Sequence, residues 1–146
     1  MNTITLNTLS GAVSEYTNFA FHSLTPTHAG AATGLFAFGG DTDLGLPIVA
    51  EVQTASKLRS TTLKKNMDLV YFSMAGGGRG LLTVFGRPGQ QWEYSFPVRP
   101  GGQSRAQVGR GIRENYLGFG FSNPDGDAFC IDRIEVLVRE SRTRRV

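Results

Sequence analysis

Cysteine occurs once in this chain of 146 residues, tryptophan once and histidine twice. Cys130 has no partner for an internal disulfide, and one thiol with His22 and His28 does not make the four ligands of a structural zinc site. Disulfide scaffolds and zinc fingers are therefore excluded. Long hydrophobic runs are missing as well: no stretch approaches the roughly 20 apolar residues that cross a bilayer. Met1-Asn2-Thr3 lacks the basic start and apolar block of a secretory signal, so a protein made in the cytosol and free of the membrane is expected. Charge is sparse, at 18% against 40% hydrophobic residues, and phenylalanine occurs ten times. That is enough apolar material for one folded domain without a metal or disulfide staple, and disorder of the whole chain is not expected.

The formal net charge of +3 is not spread over the chain. Twelve of the fifteen basic residues are arginine, and Arg139, Arg142, Arg144 and Arg145 fall in the last eight positions with Glu140 as the one acid among them. The remainder is formally neutral. A domain over residues 1–139 followed by a basic tail over 140–146 is the expected organisation. Such a tail can bind phosphate, or cross to a neighbouring subunit where guanidinium meets carboxylate or aromatic faces.

The amphipathic helix spacing of i, i+3, i+4 is almost absent, while short runs of period two recur between glycine-rich breaks. Trp92, Tyr94, Phe96 and Val98 alternate with Glu93, Ser95 and Pro97 between Arg87-Pro88-Gly89 and Pro100-Gly101-Gly102. Leu117, Phe119 and Phe121 alternate with Gly118 and Gly120, and Ile134, Val136 and Val138 alternate with Arg133, Glu135, Leu137 and Arg139. Residues 67–74 are apolar on both faces, as in a central strand. Further strands are expected at 3–9, 13–21, 34–38, 47–54 and 80–85, about nine in all. The fold class predicted is all-β, a two-sheet sandwich of jelly-roll type. Residues 22–33 and 99–113 read as long loops, and Gly76 to Gly80 as a hairpin turn.

Few side chains suit chemistry. Cys130, between Phe129 and Ile131, reads as a small buried hydrophobe. No G-x-S-x-G elbow is present, and no catalytic residue or cofactor is expected. Asp41 with Asp43, and Asp125 with Asp127, have the alternating spacing that can wrap calcium, but neither completes an EF-hand; turns are the expected role. Arg105, Arg110 and Arg113, set among glycines and joined by Arg99, have the donors to grip an anion or a partner's backbone. Trp92, Tyr94, Tyr16 and Tyr116 are the aromatics that would stack a sugar if exposed, although the alternation places Trp92 and Tyr94 with the core.

Several phrases stand together in order: Ser10-Gly11-Ala12-Val13-Ser14-Glu15-Tyr16-Thr17-Asn18, Thr33-Gly34-Leu35-Phe36, Gly40-Asp41-Thr42-Asp43-Leu44-Gly45-Leu46-Pro47-Ile48, Ser60-Thr61-Thr62-Leu63-Lys64-Lys65, Gly109-Arg110-Gly111-Ile112-Arg113, Asp132-Arg133-Ile134-Glu135 and Ser141-Arg142-Thr143-Arg144-Arg145-Val146. Across almost the whole chain this order resembles the carboxy-terminal β region of a family of tailed-bacteriophage and prophage virion proteins. The resemblance implies a structural, non-enzymatic component of the virion, in the tail or head-tail region. Taken with the basic tail and the arginine-rich segment, it leads us to expect self-association in a symmetric ring and docking to other virion proteins through Arg139, Arg142, Arg144, Arg145, Val146, Arg105, Arg110 and Arg113, with nucleic acid and membrane not the partners. A host-surface carbohydrate-binding module and a capsid decoration protein remain the alternatives.

Overall fold

A computed structural model of the chain describes residues 3–11, 13–16, 20–58 and 61–141. All regular structure among them is β, and every pairing is antiparallel. The all-β class is as expected. Where one domain over 1–139 was anticipated, the chain divides into two compact units, Met1–Gly40 and Asp41–Val146.

The first unit holds a hairpin of β1 (Thr3–Leu6) and β2 (Val13–Tyr16), and a meander of β3 (Ser23–Leu24), β4 (His28–Ala31) and β5 (Gly34–Ala37). Two of these strands lie in the segment that reads as a loop, because Thr25-Pro26-Thr27 turns the chain and Thr25 Oγ1 accepts the His28 N–H at 2.9 Å. The Phe21 ring packs against Phe36 and Phe38 at 6.4 and 6.2 Å between centroids. Ala29 is the one buried apolar residue described in this unit.

The second unit opens with a small hairpin, β6 (Thr42–Asp43) and β7 (Leu46–Pro47). Seven strands follow: β8 (Glu51–Gln53), β9 (Lys65–Gly76), β10 (Arg79–Phe85), β11 (Gln91–Pro97), β12 (Gln103–Gln107), β13 (Gly118–Ser122) and β14 (Phe129–Glu140). They form a wide sheet in the order β11-β10-β13-β8 and a narrow sheet in the order β12-β9-β14. The described strands thus number fourteen, and the five not anticipated are β3, β4, β6, β7 and β12.

The pairings nest: β10 with β11 innermost, then β9 with β12, then β8 with β13. This is a long hairpin rolled on itself into two layers. Three nested pairs are present where an eight-strand jelly roll has four, and β14 lies outside the nest, on the other side of β9. Gly77-Gly78 is not a hairpin turn within one sheet, since β9 and β10 belong to different sheets. It is the point where the chain steps between layers, with Gly78 at φ 67°.

Alternation explains the core. Phe96 on β11, Leu82 and Val84 on β10, and Phe119 and Phe121 on β13 point inward from the wide sheet; Met67, Val70, Phe72 and Met74 on β9 and Ala106 on β12 point inward from the narrow one. The Phe72 ring stacks on Phe96 at 5.0 Å and meets Phe121 at 5.4 Å. Each such Val, Leu, Phe or Met side chain, fully buried, stabilises the fold by about 1.5–3 kcal/mol. Trp92 and Tyr94 share that face and are half-buried against the core, in line with their alternation.

Two bulges break the period of two. Asp68 on β9 and Asp132 on β14 have no opposite residue in the β9–β14 ladder. The second corrects the reading of Cys130: the extra residue lets both Ile131 and Ile134 point inward, which turns Cys130 to the outer face, where it is exposed.

Candidate functional site

The acidic loops fold as turns with one added role. The β6–β7 hairpin closes through Leu44 and Gly45, at φ 51° and 82°, the left-handed pair that a tight hairpin requires. In the other loop the Gly126 N–H donates to the Asn123 carbonyl at 2.9 Å. Asn123 is buried and ties its own loop to the 48–50 segment: its Oδ1 accepts from the Ala50 N–H, and its Nδ2 donates to the Ile48 and Asp127 carbonyls. Asp41, Asp125 and Asp127 come to one shallow cleft of about 260 Å³ with Thr42 and Pro47, while Asp43 does not line it. Asp125 accepts a fork from Arg79, at 3.1 Å from Nε and 2.9 Å from Nη2. Among the described residues no group of three His, Cys, Asp or Glu side chains could hold a metal ion.

The basic segment 99–113 is an ordered strand and a pinned loop. Ser104 and Ala106 face the interior from β12 while Arg105 faces out, and the Ser104 hydroxyl accepts the Arg99 N–H at 2.9 Å. Val108 and Ile112 are buried on either side of Gly109-Arg110-Gly111, so Arg110 and Arg113 stand in solvent on a fixed base. Arg79, Arg87, Arg133 and Arg139 are ion-paired, with Asp125, Glu114, Glu135 and the bulge residue Asp68 respectively. Among the described residues Arg99, Arg105, Arg110 and Arg113 form no ion pair, which leaves one basic stretch with its charge uncommitted. Arg139 is already engaged by Asp68. Arg142, Arg144, Arg145 and Val146 lie outside the described residues.

A cleft of about 580 Å³ sits at the β10–β11 turn, lined by Phe85, Tyr116, Pro88, Gln90, Gln91 and their neighbours. The turn approaches β11 closely: a Cβ on Gly86 would lie 2.9 Å from the Trp92 ring. Arg87 forks onto the buried Glu114 at 3.1 and 3.3 Å, which fixes the rim. Tyr116 was among the aromatic candidates in the sequence. Phe85, Gln90 and Gln91 were not, and no spacing signal marks them, since the turn alone brings them together.

Apolar exposure is concentrated. Of the fourteen large hydrophobic residues exposed among those described, twelve lie between Ile4 and Val52, and only Tyr116 and Leu137 lie beyond. Leu44, at the left-handed tip of the β6–β7 hairpin, is 78% exposed. No protein-family model matches the chain, and no curated protein or solved structure does either.

Proposed function

We propose that this chain is a structural virion protein of a tailed bacteriophage, a tail or head-tail component that works by self-association and by docking onto other virion proteins. The observation that carries the reading is the apolar exposure of residues 4–52, with seven of the twelve exposed side chains on the first unit and five on the second. Exposed apolar side chains in such number on each unit are what a covering neighbour would bury. The uncommitted Arg105, Arg110 and Arg113 add a fixed basic surface suited to carboxylates on another protein. The resemblance of the ordered phrases to those of phage virion proteins suggests the setting, a ring in which symmetry multiplies a weak contact. No reaction is assigned to the chain. The test is a cryo-EM reconstruction of the parent particle: density for this chain in a tail or head-tail ring is expected, its presence on the shell would make it a decoration protein, and its absence from the particle overturns the reading.

A second reading, binding of a host-surface carbohydrate, is favoured by the cleft of Phe85, Tyr116, Gln90 and Gln91, since a ring face for stacking beside amides for hydroxyls is what a sugar requires. Glycan-array binding lost on Tyr116→Ala would support it.

A further inference from the structure

The narrow sheet is one strand short of the sheet it covers. Phe72 of β9 lies against Phe96 of β11 and Phe121 of β13, and Phe129 of β14 meets Phe121 at 4.9 Å. The narrow sheet therefore covers β11, β10 and β13, and β8 lies beyond its edge. Register shows the consequence. Val52 of β8 pairs with Phe121 and so points to the same inner side, yet Val52 is 50% exposed where Phe121 is 1%. Beside the gap runs β14, twelve residues long, whose second edge pairs with no described strand. Its inward residues Ile131, Ile134 and Val136 are only half-buried. Together these make a slot one strand wide, floored by Val52 and walled by the free backbone groups of β14.

The width of the slot limits what can fill it. Two copies cannot pair β14 with β14 antiparallel about a two-fold axis normal to the sheet, because β8 of each would claim the place held by β13 of the other. The occupant must bring a strand edge with no second layer beneath it. Charge narrows the choice further. On β14 Arg133 is paired with Glu135 and Arg139 with Asp68, which leaves the acidic Asp132 and Glu140 as the strand's charges outside these pairs, so a strand without acidic side chains suits it. The first fourteen residues of this chain carry no charged side chain. In the β1–β2 hairpin, Leu6 pairs with Val13 and Ile4 lies two residues along the same face; the three are 71% (Ile4), 61% (Leu6) and 65% (Val13) exposed.

We propose that the slot takes the β1–β2 hairpin of a second copy, with the edge of β1 pairing onto β14 and Ile4 and Leu6 lying over Val52. The proposal rests on the self-association reading above and gives it a contact. The contact joins unlike surfaces, so it repeats head to tail and either closes into a ring or runs on.

The experiment uses the full chain in sedimentation velocity from about 1 to 300 μM, the span in which micromolar contacts fill. The unaltered chain is expected to form a ladder of oligomers. Val52→Glu breaks the slot and the double change Ile4→Asp, Leu6→Asp breaks the hairpin face; each alone should weaken association at least tenfold. Mixed together, the two variants should form dimers and nothing larger, because one intact slot and one intact hairpin remain. All three positions are exposed, so the melting temperatures should be unchanged. As a measurement on the unaltered chain, maleimide labelling of Cys130, on the outer face of β14, should slow as concentration rises. A chain that stays monomeric throughout, mixed variants that fail to dimerise, or labelling that does not depend on concentration would overturn the proposal. If these fail while Val52→Glu is still incorporated into particles, the contact is wrong and the virion reading stands.

Discussion

Replacing Lys65 with methionine should destabilise the sandwich unit far more than its place beside a loop suggests. Lys65 is 1% exposed, and its ammonium donates to three backbone carbonyls: Thr61 at 2.5 Å, Leu63 at 3.1 Å and Asn115 at 3.3 Å. Its own backbone exchanges hydrogen bonds with Glu114, at 2.8 and 3.1 Å. The side chain thus joins the link that precedes β9 to the link that precedes β13. Methionine keeps the length and the apolar stem but leaves three carbonyls without a donor. A hydrogen bond to a charged group contributes about 1.5–3 kcal/mol, and an orphaned buried acceptor costs a similar amount. Thr61, Leu63 and Asn115 are only half-buried, so water recovers part of the loss. A net cost of about 2–4 kcal/mol follows. For a unit of about 100 residues that lowers the melting temperature by roughly 10–20 °C. The assay is a thermal and urea melt followed by circular dichroism, with the exposed Lys57→Met as the control. A Lys65→Met midpoint equal to that of Lys57→Met would refute the reasoning, because the ammonium would then contribute nothing that water does not replace.

Three further outcomes are expected. A Cβ on Gly80 would lie 2.6 Å from Phe96 and 2.9 Å from Phe121, so Gly80→Ala should cost about 1–3 kcal/mol in a melt, while Gly77→Ala, with nothing within 4 Å, should cost far less. EDTA should leave the melting temperature unchanged, and Asp125→Ala should shift stability by no more than about 1 kcal/mol because the Arg79 pair is half exposed; a rise of several degrees with calcium would restore a metal role to the acidic loops. Truncation after Ser141 should leave the melt unaltered and reduce incorporation into particles, whereas DNA binding that is lost on truncation and falls steeply with salt would give the tail a nucleic-acid role.

The parts of the fold legible in the sequence are those where one face of a strand is large and apolar. Trp92 to Val98 and Leu117 to Phe121 declare themselves because their inward residues are bulky. The strand β12 is silent because its inward residues are Ser104 and Ala106, small enough that Gln103, Arg105 and Gln107 dominate the composition. Cys130 was misplaced for another reason: a bulge at Asp132 changes the phase of a strand, and no periodic count carries across it. The boundary at Gly40 is equally silent, since Gly39-Gly40-Asp41 has the composition of any turn. In the candidate surface, the arginines were legible by type, but which of them are neutralised depends on carboxylates remote in sequence, such as Asp68 for Arg139 and Glu114 for Arg87.

The nested pairing of the sandwich strands also sets an order of assembly. Thr54 and Phe119 are hydrogen-bonded across 65 residues, a closure that is costly if made first. The β10–β11 hairpin closes over the few residues of its turn, and once it has formed, β9 and β12 begin next to each other; their pairing in turn delivers β8 to β13. A sandwich wired this way zips from its innermost turn outward, so each step closes a short loop although the finished contacts are remote in sequence. Stopped-flow kinetics should therefore show changes at the β10–β11 turn slowing refolding, and changes in β8 mainly hastening unfolding. The last pair to form carries the overhanging β8, so the floor that a neighbour would cover is also the part of the sandwich that opens first.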